Sequence, residues 1–283
     1  MSDRYHIAML WVEGPLSYVE QLCIQSFLDN GHDVTLYHYG EVTNVPDGTD
    51  MRHGREILDR DEFIAHGRTG SMALFSDVFR YHLLTKLDKT IWADTDAYCV
   101  RPFTSETGHF YGWESEHHIN GGVLGLPKDS EALAGLLEMT KDEYGIPFWY
   151  GDRVRQNLQD KIDAGTPTHV SEMNWGVWGP HAVTAYVHKT GEDKYAFARD
   201  VLYPRLLGQP PRRPPRRGRL YPRALPKAQD RPARGPDPRQ TGPGRSRRLT
   251  SRLDPYRVAR PIRRHPIAFP TNPAGQISVS IAP

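Results

Sequence analysis

Cysteine is scarce in this chain: 283 residues hold two, Cys23 and Cys99, and neither stands in a Cys-x-x-Cys or Cys/His cluster. That excludes a disulfide scaffold and a structural zinc site. Long apolar runs are missing as well. No stretch approaches the ~18–20 residues of a membrane span, and Met1-Ser2-Asp3-Arg4-Tyr5-His6 leads into no signal-peptide core. A cytoplasmic protein is expected. No internal repeat occurs. A third shortage is local: residues 201–283 contain no Glu and one Lys, Lys227, against 18 Arg, and they hold 17 of the 24 prolines.

The formal net charge of +2 therefore averages two unlike parts. Residues 1–200 carry 17 Lys and Arg against 31 Asp and Glu, a net −14, and residues 201–283 carry 19 against 3, a net +16. Each part is read alone.

The first part alternates strand and helix signals. Ile7 to Trp11 is an apolar run of strand length, broken by Gly14-Pro15. Val19, Leu22, Cys23 and Phe27 then fall at helical spacing, and Asn30-Gly31 stops the helix. Residues 34–39 are rich in β-formers. Strand, helix and strand in so short a span predict a βαβ unit with parallel strands. Residues 40–68 are polar and turn-rich, which predicts a long loop over the carboxyl edge of the sheet, where open α/β sheets bind ligands.

Residues 71–86 predict a helix that is apolar nearly all round and hence buried. Asp77 and Arg80 share one of its faces. Desolvating such a pair costs several kcal/mol per ion before its attraction is counted. Either it is a structural i,i+3 pair, or it hydrogen-bonds a polar ligand. A strand is predicted over residues 90–100, and its alternation points Asp94 and Asp96 the same way, roughly 7 Å apart. Two such carboxylates repel unless water, ligand donors or a cation lies between them. Hard oxygen ligands select Mg²⁺ or Mn²⁺, which characteristically bridge to substrate phosphates.

Read together, SDVFRYHLLTKLDKTIWADTDAYCVRPF (residues 76–103) resembles the DXD-containing sugar-binding region of family 32 glycosyltransferases and their relatives. Ser76, Asp77, Arg80, Leu84, Asp94, Asp96, Pro102 and Phe103 all match. The family's Gly-Gly-x-Tyr before the acidic pair is replaced by Leu87 to Trp92, with Trp92 keeping an aromatic. Downstream, INGGVLGLPKDSEAL and WGPHAVTAYVHKTG resemble further family blocks, through Asn120, Gly121, Gly122 and Gly179, Pro180, Val183, Thr184. The resemblance spans about residues 5–200.

It implies an α/β domain of GT-A type over residues 1–203, a Rossmann-like mixed sheet with flanking helices. It also implies metal-dependent, configuration-retaining transfer of a sugar from a UDP- or GDP-sugar to a saccharide or glycolipid acceptor. That work belongs to cytoplasmic polysaccharide biosynthesis, with peripheral association at the inner membrane face and no nucleic-acid partner. By similarity Asp96 ligates Mn²⁺ or Mg²⁺, and Asp94 contacts ribose and the metal. Asp77 and Arg80 hold donor-sugar hydroxyls, completing the catalytic set Asp77, Arg80, Asp94 and Asp96. Leu10 and Trp11 floor the nucleotide pocket, Ser76 and Thr95 add donor contacts, and Asn120 lies toward the acceptor. No nucleophile is assigned.

Other groups invite plainer readings. His117-His118 beside Glu114 and Glu116 reads as a solvated acidic loop, and Trp149, Trp175 and Trp178 as core or acceptor-stacking residues. His181 and His188 receive no role. Residues 204–283, a Pro/Arg-rich tail, do not read as a folded domain. The tail is disordered, binding nucleic acid or anionic lipid or forming a polyproline ligand, or it is an out-of-frame translation, which its 18:1 Arg:Lys ratio favours. Family members end with a His and a Trp near the metal; here His265 stands alone without a Trp, so that role is not carried over, and weak or absent catalysis is expected. Two other classes therefore stay open: an impaired nucleotide-sugar-binding relative, and a protein acting through its basic tail.

Overall fold

The computed structural model describes residues 4–60 and 62–203. The readings of residues 204–283, His265 included, lie outside them. In chain order the elements are β1 (His6–Leu10), β2 (Gly14–Pro15), α1 (Tyr18–Asp29), β3 (Val34–His38), β4 (Val42–Thr43) and β5 (Asp50–His53). There follow α2 (Ala73–Lys86), β6 (Thr90–Ala93), β7 (Phe110–Trp113), β8 (Ile119–Gly125) and α3 (Glu131–Met139). Last come α4 (Asp152–Asp163), α5 (Pro180–Thr190) and α6 (Arg199–Leu202).

Six strands form one sheet in the order β5-β3-β1-β6-β8-β7. The first four run parallel, with Ile7 opposite both Val34 and Ile91, and β8 is antiparallel to β6 and to β7. This is the mixed α/β architecture with flanking helices that the sequence implies. The βαβ unit forms as expected. Ser17 caps α1 in a capping box with Glu20, and Gly31 beyond its end takes a φ of 77°, where a side chain is strained.

Strand β1 reads as an unbroken apolar run because both its faces are covered. Ile7 and Met9 pack with Ile24, Phe27, Leu36 and Ile91 on the side of α1 and α6. Ala8 points the other way, into a core built from α2, α3 and α5 with Phe79, Leu83, Trp92 and Leu133. Helix α2 is buried nearly all round, as its composition predicts. Its outer side, through Leu74 and Val78, meets a third cluster of Val170, Met173, Val177 and Trp178.

Two expectations are corrected. Residues 40–68 are not one long loop, because β4 pairs with β2 and β5 extends the main sheet. β5 is an edge strand with only Met51 half-buried, so its Asp-Met-Arg-His sequence shows no apolar alternation. The strand expected over residues 90–100 ends at Ala93. There the chain turns, with Ala97 N–H donating to the Asp94 carbonyl at 2.9 Å. Both cysteines are free and buried, and burial pushes their thiols up to about 12, leaving them inert. Among the described residues no helix is long and apolar enough to cross a membrane.

One buried histidine ties the chain ahead of β1 to the segment that follows β6. His32 is 3% exposed; its Nδ1 meets the Tyr5 carbonyl at 2.7 Å and its Nε2 accepts from Phe103 N–H at 2.8 Å. A carbonyl can only accept and an amide can only donate, so the ring is neutral with the proton on Nδ1. Burial lowers its pKa, so the unfolded chain takes up the proton first and stability is lost as pH falls through about 6.5. His32→Phe strands both backbone partners and is expected to cost about 2–4 kcal/mol at pH 7.5 in urea unfolding of the whole chain. The gap to the parent should narrow at pH 5.5, and a gap independent of pH would contradict the assignment.

Candidate functional site

The strand order defines where a ligand belongs. From β1 the chain goes out to β3 on one side, and through α2 it returns to place β6 on the other. The connections diverge there, so a crevice opens at the carboxyl ends of β1 and β6. It is occupied by a cavity of ≈ 510 Å³ lined by Leu10, Trp11, Ser76, Arg80, Trp92, Asp94, Thr95 and Asp96, among others. Seven of the nine residues expected from sequence thus meet on one cavity. A larger cavity of ≈ 690 Å³ lies toward the amino end of β6, around Lys89, Thr107 and His109, and holds none of them.

Arg80 organises the crevice. Its side chain is 6% exposed and lies 3.3 Å from the Asp77 carboxylate and 3.4 Å from that of Asp94. Its guanidinium also donates to Ser76 Oγ at 3.1 Å, to the Ser76 carbonyl and to the Gly121 carbonyl, and it sits 5.0 Å over the Trp92 ring. Burial alone lowers a guanidinium's pKa, but Asp94 and Asp77 outweigh it and hold Arg80 charged. Its charge is shared, so Asp77 receives too little of it to offset its own burial and is pushed up to about 7.

Asp77 does not line the cavity. It is buried behind Arg80, against Gly179, where an added Cβ would fall 2.9 Å and 3.0 Å from its two carboxylate oxygens. A side chain at position 179 would force Asp77 off Arg80. Asn120 also stands back: its Oδ1 accepts from Gly122 N–H at 2.7 Å, and the Gly122 carbonyl accepts from Asp94 N–H at 2.7 Å. Both residues shape the site from behind.

The acidic pair sits in the turn after β6, so strand alternation does not orient it, yet both residues reach the same cavity. Asp94 Oδ1 accepts from Trp92 Nε1–H at 2.8 Å and faces Arg80. Asp96 has less support, a hydrogen bond from its own backbone and a weak pull from Arg80. Its Oδ1 is buried with no hydrogen-bond partner among the described residues, and burial, then repulsion from Asp94, push the group up to about 6. No group of three metal-ligating side chains occurs among the described residues. Two carboxylates, one bearing an orphaned oxygen, suit a hard divalent cation that draws its other ligands from phosphate and water.

Sequence reasoning passed over Val12 and Glu13, which also border the cavity. Their position just past the carboxyl end of β1 was the available signal. Of the tryptophans, Trp178 is core, Trp149 is half-buried, and Trp175 is 50% exposed with its ring 5.4 Å from that of His66. His117 is exposed on the β7–β8 turn, whereas the His118 ring lies 5.2 Å from that of His181. His188 pairs with Asp193 at 2.8 Å.

Asp96 generates a stability prediction. An acid whose folded pKa lies above its unfolded value binds its proton more tightly when folded, so stability is lost as pH rises from about 4 through about 6. Asp96→Asn is therefore expected to stabilise the ligand-free chain at pH 7.5, by about 1–2 kcal/mol after solvent screening, with little gain at pH 4. Thermal unfolding at the two pH values measures this, and equal effects at both would contradict it.

No protein-family model matches the chain, and no curated protein matches it. Solved structures with similar backbones include one described as PaToxG Glycosyltransferase, 11% identical over 67% of this chain and 69% of its own, with a TM-score of 0.41. Another, described as a transferase mutant, is 12% identical over 62% of this chain and 93% of its own, with a TM-score of 0.36. The fold assignment rests on the strand order and register of the chain itself.

Proposed function

We propose that this chain is a glycosyltransferase whose β1/β6 crevice binds a nucleotide-sugar and passes its sugar to a saccharide or glycolipid acceptor. One observation carries the reading: Arg80, Asp94 and the unsatisfied Asp96 converge on one cavity at the point where an open α/β sheet receives ligands.

Breaking the bond between the sugar and its diphosphate leaves negative charge on the departing phosphate. A Mn²⁺ or Mg²⁺ ion held by Asp96 and Asp94 would supply Lewis-acid stabilisation of that charge. Trp92 and Arg80 fix Asp94 by hydrogen bond and ion pair, so the carboxylate is oriented before any ligand arrives. Arg80, too enclosed to reach far into the cavity, contributes a fixed positive charge in a dry setting, where such charges act most strongly. Asp77 serves as a positioning residue that keeps Arg80 in place, so contacts to donor hydroxyls fall to Ser76 and Thr95 on the cavity wall. Leu10 and Trp11 form the apolar floor. Retention of anomeric configuration belongs to this reading through the resemblance alone.

The test is release of nucleoside diphosphate by the whole chain from UDP- and GDP-sugars with Mn²⁺. Asp96→Ala is expected to lower release by at least about 10²-fold with the fold intact by circular dichroism. Release that does not change in Asp96→Ala would sink the assignment, and nucleotide binding without release would reduce the protein to a binder. Trp92→Phe keeps the aromatic packing but removes the N–H that holds Asp94. It should weaken Mn²⁺ binding, read by electron paramagnetic resonance, by about 10–100-fold.

A further inference from the structure

A second cavity of ≈ 210 Å³ adjoins the first and shares Val12 and Glu13 with it. Tyr39, just past β3, and His53, at the end of β5, wall it together with Phe63, and Arg55 borders it. The Tyr39 ring packs edge-to-face with Phe63 at 5.2 Å and with His53 at 5.6 Å, so the chamber is aromatic-sided. Glu13 makes no hydrogen bond or ion pair among the described residues, although Tyr39 donates to the Leu58 carbonyl and Arg60 is committed to Glu143. Arg55 is half-exposed and meets Asp59 at 3.3 Å.

Resting on the nucleotide-sugar reading above, we infer that this chamber holds the nucleobase and that Glu13 selects guanine. The cavity's charges order the ligand. The Asp94–Asp96 end needs a cation and therefore takes the diphosphate, whereas Glu13 repels phosphate and leaves its own end for the base. A carboxylate offers two acceptors side by side. Guanine presents two adjacent donors, N1–H and N2–H, which fit it in parallel. On its other edge O6 and N7 are paired acceptors, the pattern a guanidinium reads, and Arg55 borders the same chamber. Uracil presents one N–H between two carbonyls, so a carboxylate gains one bond and faces two repelling oxygens. Adenine places an acceptor, N1, beside its amino group. A base that lacks the two donors forgoes the paired bonds, and uracil also brings its carbonyl oxygens against the carboxylate.

Calorimetric titration of the full chain with GDP, UDP and ADP in Mn²⁺ tests this. GDP should bind tighter than UDP and ADP by about 10-fold or more, in line with loss of one bidentate pair. Glu13→Gln, at an exposed position where the fold is not at stake, should weaken GDP by about 10-fold and UDP by no more than about 2-fold, collapsing the preference. Equal or tighter UDP binding, or GDP affinity unchanged in Glu13→Gln, overturns the inference. If UDP binding dominates and is lost in Asp96→Ala, guanine selection falls while the transfer reading stands. If no nucleotide binds, both fall.

Discussion

The buried guanidinium of Arg80 is the constraint on which the site depends. A charge with 6% of its side chain exposed must be met from all sides, and the chain does so with parts drawn from separate elements. Ser76 and Asp77 come from the same helix, Asp94 and Trp92 from the end of β6, and the Gly121 carbonyl from β8. None of these can move alone. Helix α2 is therefore held against the sheet at a fixed height, and the chain after β6 must turn where Asp94 can meet the guanidinium. Gly179 must stay bare so that Asp77 fits behind. A cation chosen for local neutrality thereby fixes the relation of two strands and a helix.

Neutrality stops at Arg80. Asp77 and Asp94 take most of its charge and Trp92 supplies Asp94 with a hydrogen bond, whereas Asp96 has a hydrogen bond from its own backbone and only a weak pull from Arg80. The carboxylate that faces the crevice is left in deficit, as Asp77 is behind it, and Asp94 stands nearby to deepen it. Such a deficit works against folding at neutral pH, and a bound cation would relieve it. The fold thus tolerates two such deficits, one at Asp96, where a ligand can relieve it, and one at Asp77, which packing seals away.

Much of this was legible in the sequence, and the reasons are physical. β1, α1 and β3 announced themselves because a buried parallel strand is an unbroken apolar run and a capped helix has recognisable ends. The burial of α2 followed from apolar residues on all its faces, and the acidic pair from its spacing after Trp92. What escaped depends on tertiary geometry. β5 is an exposed edge strand, so nothing in Asp50 to His53 marks it. The end of β6 at Ala93 is set by the turn that delivers Asp94 to Arg80, which local propensity does not encode. Asp77 and Arg80 look equivalent on a helical wheel. Only the third layer around Val170 and Trp178, and Gly179 with it, decides which of them faces the crevice.

The same asymmetry bears on how a ligand lies in the crevice. Its polar wall is graded: a fixed cation at the back, two carboxylates at the β6 end, and at the β1 end, where the aromatic chamber begins, Glu13, unpaired among the described residues. A uniform cavity would accept a nucleotide in either direction. For the nucleotide proposed above, the phosphates would be neutralised at the β6 end, because among the described residues Glu13 has no orphaned buried oxygen to demand a cation. The planar part of that proposed ligand would then be left with the side walled by Tyr39, His53 and Phe63. For the proposed ligand, polarity of binding would follow from where the sheet places three acidic side chains, two after β6 and one after β1.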